Sequence, residues 1–293
     1  MSAEIRSVRI GDRAVGPELP VFFVAEIGIN HNGDVALAKK LIGAASSSGA
    51  DAVKFQKRTV EVVYSEEELA RPRESPFGAT NGDLKHGLEF GEAEYVELDA
   101  FCRSIGMPWF ASCWDEASVD FVEQFEPPCY KVASPSLTDD GLLEHLRGTG
   151  RPIILSTGMS SLDQIDHAVE VLGRHDLVIT HTTSTYPSSI DELNLRVIPQ
   201  LAERYRVPVG YSGHEVGLGP TLAAVVLGAC IVERHVTLDR AMWGSDQAAS
   251  VEPHGIAHLI KDIRAWERAR GDGEKRVYES ELPVIEKLRR VGA

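Results

Sequence analysis

A chain of 293 residues with 43% hydrophobic and 25% charged side chains has the makeup of an ordinary globular protein, large enough to bury a sizeable core. Its formal charge of −14 disfavours nucleic acid and anionic membrane as partners, and no apolar run reaches the roughly 18 residues a membrane span needs. The polar opening MSAEIRSVRIGDRAV lacks the apolar segment of a secretory signal. Cys102, Cys113, Cys129 and Cys230 show no CxxC pairing, so a cytoplasmic protein with reduced thiols is expected.

Residues 1–20 are expected to form a small hairpin capping a barrel floor. Short β-branched or aromatic runs bounded by Gly, Pro or polar residues then recur at 21–28, 51–57, 108–114, 129–134, 152–158, 176–183, 207–214 and 230–237. Helical patterns lie between them. Asp34 can cap one carrying Val35, Ala38, Leu41, Ile42 and Ala45, and Ser161 can cap one carrying Leu162, Ile165, Val169 and Leu172. Alternation of strand and helix predicts parallel strands, and eight such units predict an α/β fold, a single-domain (β/α)8 TIM barrel over residues 21–270. The segment 71–91, rich in Gly, Pro and charge, reads as a long loop over the barrel mouth, and 271–293 as a tail helix or arm.

In such barrels the chemistry stands at the C-terminal strand ends, and polar residues there are abundant. In chain order they are Glu26 and Asn30, Lys54 and Gln56, Ser112, Lys131 and Ser134, Ser156, His181 and Thr183, Ser212 and His214, Glu233 and His235. The strand period of two puts most i, i+2 pairs on one face. Lys131 and Ser134 break that parity, so one of them must lie where the chain leaves its strand. His214 and His235, on adjacent strand tips, can share a divalent cation whose remaining ligands are oxygens of water or substrate. Two lysines among several serines suit a phosphate or carboxylate, although an internal ion pair with Glu26 or Glu233 would also account for a buried lysine. GLGPT at 217–221 could present backbone N–H groups to phosphate but lacks a full phosphate-loop pattern. Cys113 is better read as packing than as a nucleophile. Arg71, Arg73, Lys85 and His86 in the long loop either touch substrate or form a solvated charged surface.

The segments AEIGINHNGD (25–34), KFQ (54–56), KVASPS (131–136), LSTGMS (155–160), HTTSTYPS (181–188), GYSGHEVG (210–217) and ERHVTLDRAMWGSDQAASVEP (233–253) together resemble the sialic acid (N-acetylneuraminate) synthase family. The resemblance runs in order from about residue 20 to 290. It implies condensation of phosphoenolpyruvate with an aldose in a metal-dependent barrel, giving a 2-keto-3-deoxy sugar acid and phosphate. It further implies a divalent metal, manganese, magnesium or cobalt, on His214 and His235, and phosphoenolpyruvate among Lys54, Lys131, Ser134, Ser156 and Ser212. Glu26, Gln56, Tyr186 and Asp246 match positions that hold or activate the sugar. Ser112 and Thr183 are expected to line the substrate site, Glu26, Lys54, Lys131 and Glu233 to carry the catalysis, and the protein to be a homo-oligomer, a dimer or tetramer.

Three positions depart from the family pattern: Ser136 stands where a glutamate is usual, Cys113 for a threonine and Ser184 for an asparagine. The tail at 271–293 also stands where sialic acid synthases continue into a small antifreeze-like domain. The expected acceptor is therefore an aldose other than N-acetylmannosamine. Two rivals are a Schiff-base aldolase working through Lys131 or Lys54 without metal, and a catalytically silent barrel that binds sugar phosphates.

Overall fold

The computed structural model describes residues 5–292. Two short strands, β1 (Val8–Ile10) and β2 (Arg13–Val15), pair antiparallel as a hairpin. Each of the eight strand-like runs forms a strand: β3 (Phe22–Gly28), β4 (Ala52–Lys57), β7 (Trp109–Cys113), β8 (Tyr130–Val132), β9 (Ile153–Ser156), β10 (Leu177–Thr182), β11 (Val209–Gly213) and β12 (Ile231–His235). They close in that order into one parallel barrel, β12 pairing with β3. The remaining pair, β5 (Pro72–Ser75) and β6 (Gly78–Thr80), makes a second antiparallel hairpin inside the long connection between β4 and β7. That connection also carries α2 (Val60–Val63), α3 (Glu66–Ala70) and α4 (Asn81–Leu88), so the segment read as a loop is largely structured.

Helices α1 (Val35–Ser47), α5 (Glu92–Ile105), α6 (Glu116–Glu123), α7 (Asp140–Gly148), α8 (Leu162–Leu172), α9 (Val197–Tyr205), α10 (Gly219–Val226) and α11 (Pro253–Ala269) surround the barrel, and α12 (Leu282–Leu288) lies in the exposed tail. The caps fall where the side chains allow them. Asp34 accepts N–H bonds from Ala36 and Leu37 at the start of α1, and Ser161 accepts from Gln164 at the start of α8.

Period-two alternation sorts the strand residues into two cores. Phe23, Ala25, Ile27, Val53 and Phe55 point outward onto Leu41, Ile42, Leu98 and their neighbours on the helices. Phe22, Val24, Ala52, Phe110, Ile154, Val178 and Ile231 point inward and pack with Val8, Ile10 and Val15 of the β1–β2 hairpin, which stops the barrel floor. Arg13 fastens the hairpin through a 2.6 Å bond to Asp51, whose other oxygen accepts the Phe23 N–H. One step further along each strand the inward residues change from apolar to polar or charged. Among the described residues, no helix is long and apolar enough to cross a membrane.

Candidate active site

Above the apolar floor the inward positions are Glu26 on β3, Lys54 and Gln56 on β4, Ser112 on β7, Lys131 on β8, Ser156 on β9, Ser212 on β11, and Glu233 and His235 on β12. His214 follows directly after β11. All of them line one cavity of about 230 Å3, joined by Trp114, Ala133, Ser134, Pro135, Met159, Ser184 and Tyr186. Ser134 reaches it because the chain leaves β8 after Val132 and turns into a short 3-10 helix over Ser134–Ser136, which resolves the broken parity with Lys131.

The floor of this cavity is a network of two ammonium groups and two carboxylates, all buried. Lys54 Nζ lies 2.9 Å from Glu26 Oε2 and donates to Ser112 Oγ at 2.8 Å. Lys131 Nζ donates to Glu233 Oε1 at 2.8 Å, Ser212 Oγ donates to the same oxygen at 3.0 Å, and Lys54 stands 3.8 Å from it. Both ion-pair partners foreseen for the lysines are thus present. Burial pulls the Lys54 ammonium down, but Glu233 and Glu26 outweigh it and its pKa is raised. For Lys131 burial prevails, joined by the like charge of Lys54, and its pKa is lowered. Burial alone would raise the Glu233 carboxyl; Lys131 and Lys54 overcome that and hold it below the usual carboxylate range.

The rim of the cavity is aromatic. Tyr186, 47% exposed, lies over His214 with ring centroids 4.1 Å apart and meets His235 edge-on at 5.5 Å. The two imidazole centroids are 5.5 Å apart. His214 Nδ1–H donates to the Thr183 carbonyl at 2.8 Å, which leaves Nε2 with a free lone pair. Burial first, then the neighbouring His235, lowers the His214 pKa to about 3, so the ring is neutral at ordinary pH. His235 Nδ1 is buried without a hydrogen-bond partner, and Asp246 Oδ2 stands 3.8 Å from it. The neutral His214 ring, with its free Nε2, and the unpartnered Nδ1 of His235 form a pair of imidazoles that suits a divalent metal. Among the described residues no group of three or more His, Cys, Asp or Glu gathers around a metal position, so further ligands would be oxygens of water or substrate.

Glu26, Gln56 and His235 meet behind Gly28, which has φ +53°. A Cβ there would stand 3.1 Å from Glu26 Oε1, 3.2 Å from Gln56 Nε2 and 3.3 Å from His235 Cε1. Gly28→Ala is therefore expected to lose about 1–2 kcal/mol from the left-handed backbone alone. It should also displace these three side chains, lowering both the thermal midpoint and turnover; a midpoint equal to that of the parent would show that the site has slack.

Twelve of the fourteen residues expected to carry catalysis, substrate or metal line the cavity, and Asp246 stands beside it against His235. Thr183 does not line it. On β10 the inward residues are Val178, Thr180 and Thr182, so His181 and Thr183 have the opposite parity. Thr183 Oγ1 donates to the Glu192 carbonyl at 3.3 Å and His181 Nε2–H to the Leu193 carbonyl at 2.6 Å, both bordering a separate groove between α8 and α9. Thr182 takes the inward place, 2.9 Å from Ser156 Oγ. Ser136 is buried but does not line the cavity. Cys113 is fully buried, its thiol pushed up by burial, in keeping with packing. The sequence reading missed Trp114 and Met159, and also Arg58, whose guanidinium stacks 4.5 Å over Trp114 and donates to Gln56 Oε1.

Residues 41–275 match the model of the NeuB family. The N-acetylneuraminate-9-phosphate synthase of Mus musculus is 39% identical over 281 residues, covering 94% of this chain and 78% of that protein. The N,N'-diacetyllegionaminic acid synthase of Legionella pneumophila is 35% identical over 291 residues, covering 96% and 82%. The crystal structure of an N-acetylneuraminic acid (sialic acid) synthetase from Leptospira borgpetersenii serovar Hardjo-bovis in complex with citrate superimposes with a TM-score of 0.86 at 30% identity, covering 99% of this chain and all of that one. With agreement of that extent in both sequence and backbone, the chain belongs to the NeuB family.

Proposed function

We propose that the protein condenses phosphoenolpyruvate with an aldose, with a divalent metal present, to give a nonulosonate-type 2-keto-3-deoxy sugar acid and phosphate. As a NeuB family member it is a transferase of the phosphoenolpyruvate–aldose condensing type. The observation that carries the finer reading is the convergence of Lys131, Ser212 and Lys54 on a single oxygen of Glu233, inside a cavity that also holds the imidazoles of His214 and His235. Glu233 Oε1 is an internal anion that keeps these donors assembled, and a phosphate or carboxylate oxygen of the substrate takes over the same donors. Ser134 accepts the Gly158 N–H at 3.1 Å, which leaves its own proton for the substrate.

In the proposed reaction C3 of the enol pyruvate forms the new bond to the aldehyde carbon, whose oxygen becomes a hydroxyl. Water then adds to C2, and the resulting tetrahedral centre collapses to the ketone as phosphate leaves. A divalent ion on His214 and His235, manganese, magnesium or cobalt, would polarise the aldehyde oxygen as charge develops there. Glu26 holds Lys54 with one oxygen and accepts Gln56 Nε2 at 3.0 Å with the other, and its proposed role is to take a proton from the attacking water. Lys54 and Lys131 offset the charge of the departing phosphate.

The acceptor is proposed to be an aldose other than N-acetylmannosamine. Ser136 supplies no carboxylate to the sugar end, where Gln56, Tyr186 and Asp246 remain, and unmatched polar groups are what such sites reject most strongly. The test is phosphate release from phosphoenolpyruvate against free, N-acetylated and phosphorylated aldoses, with and without chelator. Acceptor-dependent, chelator-sensitive release is expected. Clear preference for N-acetylmannosamine would overturn the acceptor, and no release with any aldose would overturn the reaction. The four cysteines are free and buried, which suits the reducing cytoplasm as its place of action. Exposed apolar side chains along the tail, Val277, Tyr278, Leu282 and Leu288, support assembly as a homo-oligomer.

A further inference from the structure

On the outer side of the barrel wall, directly behind the two histidines, lies a buried ion pair that touches neither cavity nor solvent. Arg234 is 1% exposed and Glu215 0%. Arg234 Nη1 donates to Glu215 Oε1 at 2.9 Å, to Thr221 Oγ1 at 2.7 Å and to the Gly217 carbonyl at 2.9 Å, while Nη2 donates to the Glu215 carbonyl at 2.6 Å. Tyr211 OH and Thr221 Oγ donate in turn to the two oxygens of Glu215, at 2.8 and 2.9 Å. Gly213 makes room for this knot, because a Cβ there would meet Glu215 Oε2 at 2.5 Å and Tyr211 Cε1 at 2.6 Å.

The period of two ties this outer knot to the inner site. Tyr211 precedes Ser212, Glu215 follows His214, and Arg234 stands between Glu233 and His235, opposite Gly213 in the β11–β12 register. Glu215 also forms a β-bridge with Ser188, two residues beyond Tyr186, and the Ser188 N–H donates to the His214 carbonyl at 3.0 Å. One knot therefore joins the backbones that carry Tyr186, Ser212, His214, Glu233 and His235. A buried ion pair is a poor device for stability, because removing two charges from water offsets most of their attraction. Arg234 even leaves its Nε buried without a partner. What the pair does supply is direction: a planar fork with four acceptors admits one arrangement of the turn after β11 against β12.

We propose that the Arg234–Glu215 pair is a positioning element that fixes the separation and aim of His214 and His235 from behind the barrel wall. This rests on the reading of those two histidines as the metal-holding pair. The test uses the full chain carrying Arg234→Lys, Glu215→Gln, and the double change Glu215→Leu with Arg234→Met, which replaces the pair by apolar groups of similar length and keeps a folded protein within reach should a single change fail to fold. Mn2+ affinity by titration is expected to fall about tenfold to hundredfold in folded variants, the scale seen when groups behind metal ligands are removed, with kcat lowered more than the KM for phosphoenolpyruvate. A second readout needs no metal: imidazole 15N shifts should report a single Nδ1–H tautomer of His214 in the parent and a mixture in the variants. Loss of the fixed tautomer supports the proposal. Variants that keep both the parent tautomer and the parent Mn2+ affinity, whatever their stability, overturn it. If the parent itself binds no Mn2+, the metal assignment fails, and the tautomer comparison still decides whether the knot orients His214.

Discussion

His214→Ala and His235→Ala are each expected to lower kcat/KM for phosphoenolpyruvate-dependent phosphate release by about a thousandfold or more, on the order of 4 kcal/mol of transition-state stabilisation. Each change removes one of two imidazoles whose ring centroids stand 5.5 Å apart at the barrel mouth, where no group of three or more His, Cys, Asp or Glu gathers around a metal position among the described residues. The fold should survive, because both rings lie above the apolar layers that hold the wall together. A cooperative thermal transition with lost Mn2+ binding is the expected signature. Either variant turning over at the parent rate in chelated buffer would overturn the metal assignment.

The second large effect is expected at Lys131. Lys131→Met should lower kcat/KM for phosphoenolpyruvate about a hundredfold, the scale of a charged hydrogen bond worth about 2–3 kcal/mol. It should also destabilise the protein by about 3–5 kcal/mol, because Glu233 would keep only Ser212 at 3.0 Å and Lys54 at 3.8 Å to balance a fully buried charge. Replacing both members, Lys131→Met with Glu233→Leu, should restore much of the stability and none of the turnover. Denaturant titration and steady-state kinetics separate the two losses. Arg71, engaged by Glu68 at 2.8 Å, and Arg73, 3.3 Å from Asn81, serve as controls and should matter far less. Equal losses there would mean that the anion binds at the long connection and not on the barrel floor.

Much of the barrel was legible because its strands are short apolar runs flanked by turn residues, and their tips carry polar or charged side chains two apart. Lys54 with Gln56, Ser212 with His214 and Glu233 with His235 all obey that parity. On β10 parity gives no guidance from sequence. Both alternating sets of DLVITHTT mix aliphatic and polar residues, and only the packing of Val178 into the inner core selects Thr180 and Thr182 over His181 and Thr183. The β5–β6 hairpin escaped because its residues are mostly exposed and lack apolar alternation. Arg234 and Glu215 escaped for a different reason. Nineteen positions apart in the sequence, they look like two ordinary surface charges until the register of β11 on β12 brings them together.

The stopper made by the β1–β2 hairpin has a consequence for traffic. Val8, Ile10 and Val15 are wedged between the strands, so among the described residues the rear of the interior is closed by apolar packing and the cavity opens at the end where Tyr186 stands. Lys54 and Lys131 stand at the blind end, whereas Tyr186 stands half in solvent. In such a cul-de-sac a molecule resting on the two lysines lies deeper than one resting against the tyrosine, and is expected to arrive first.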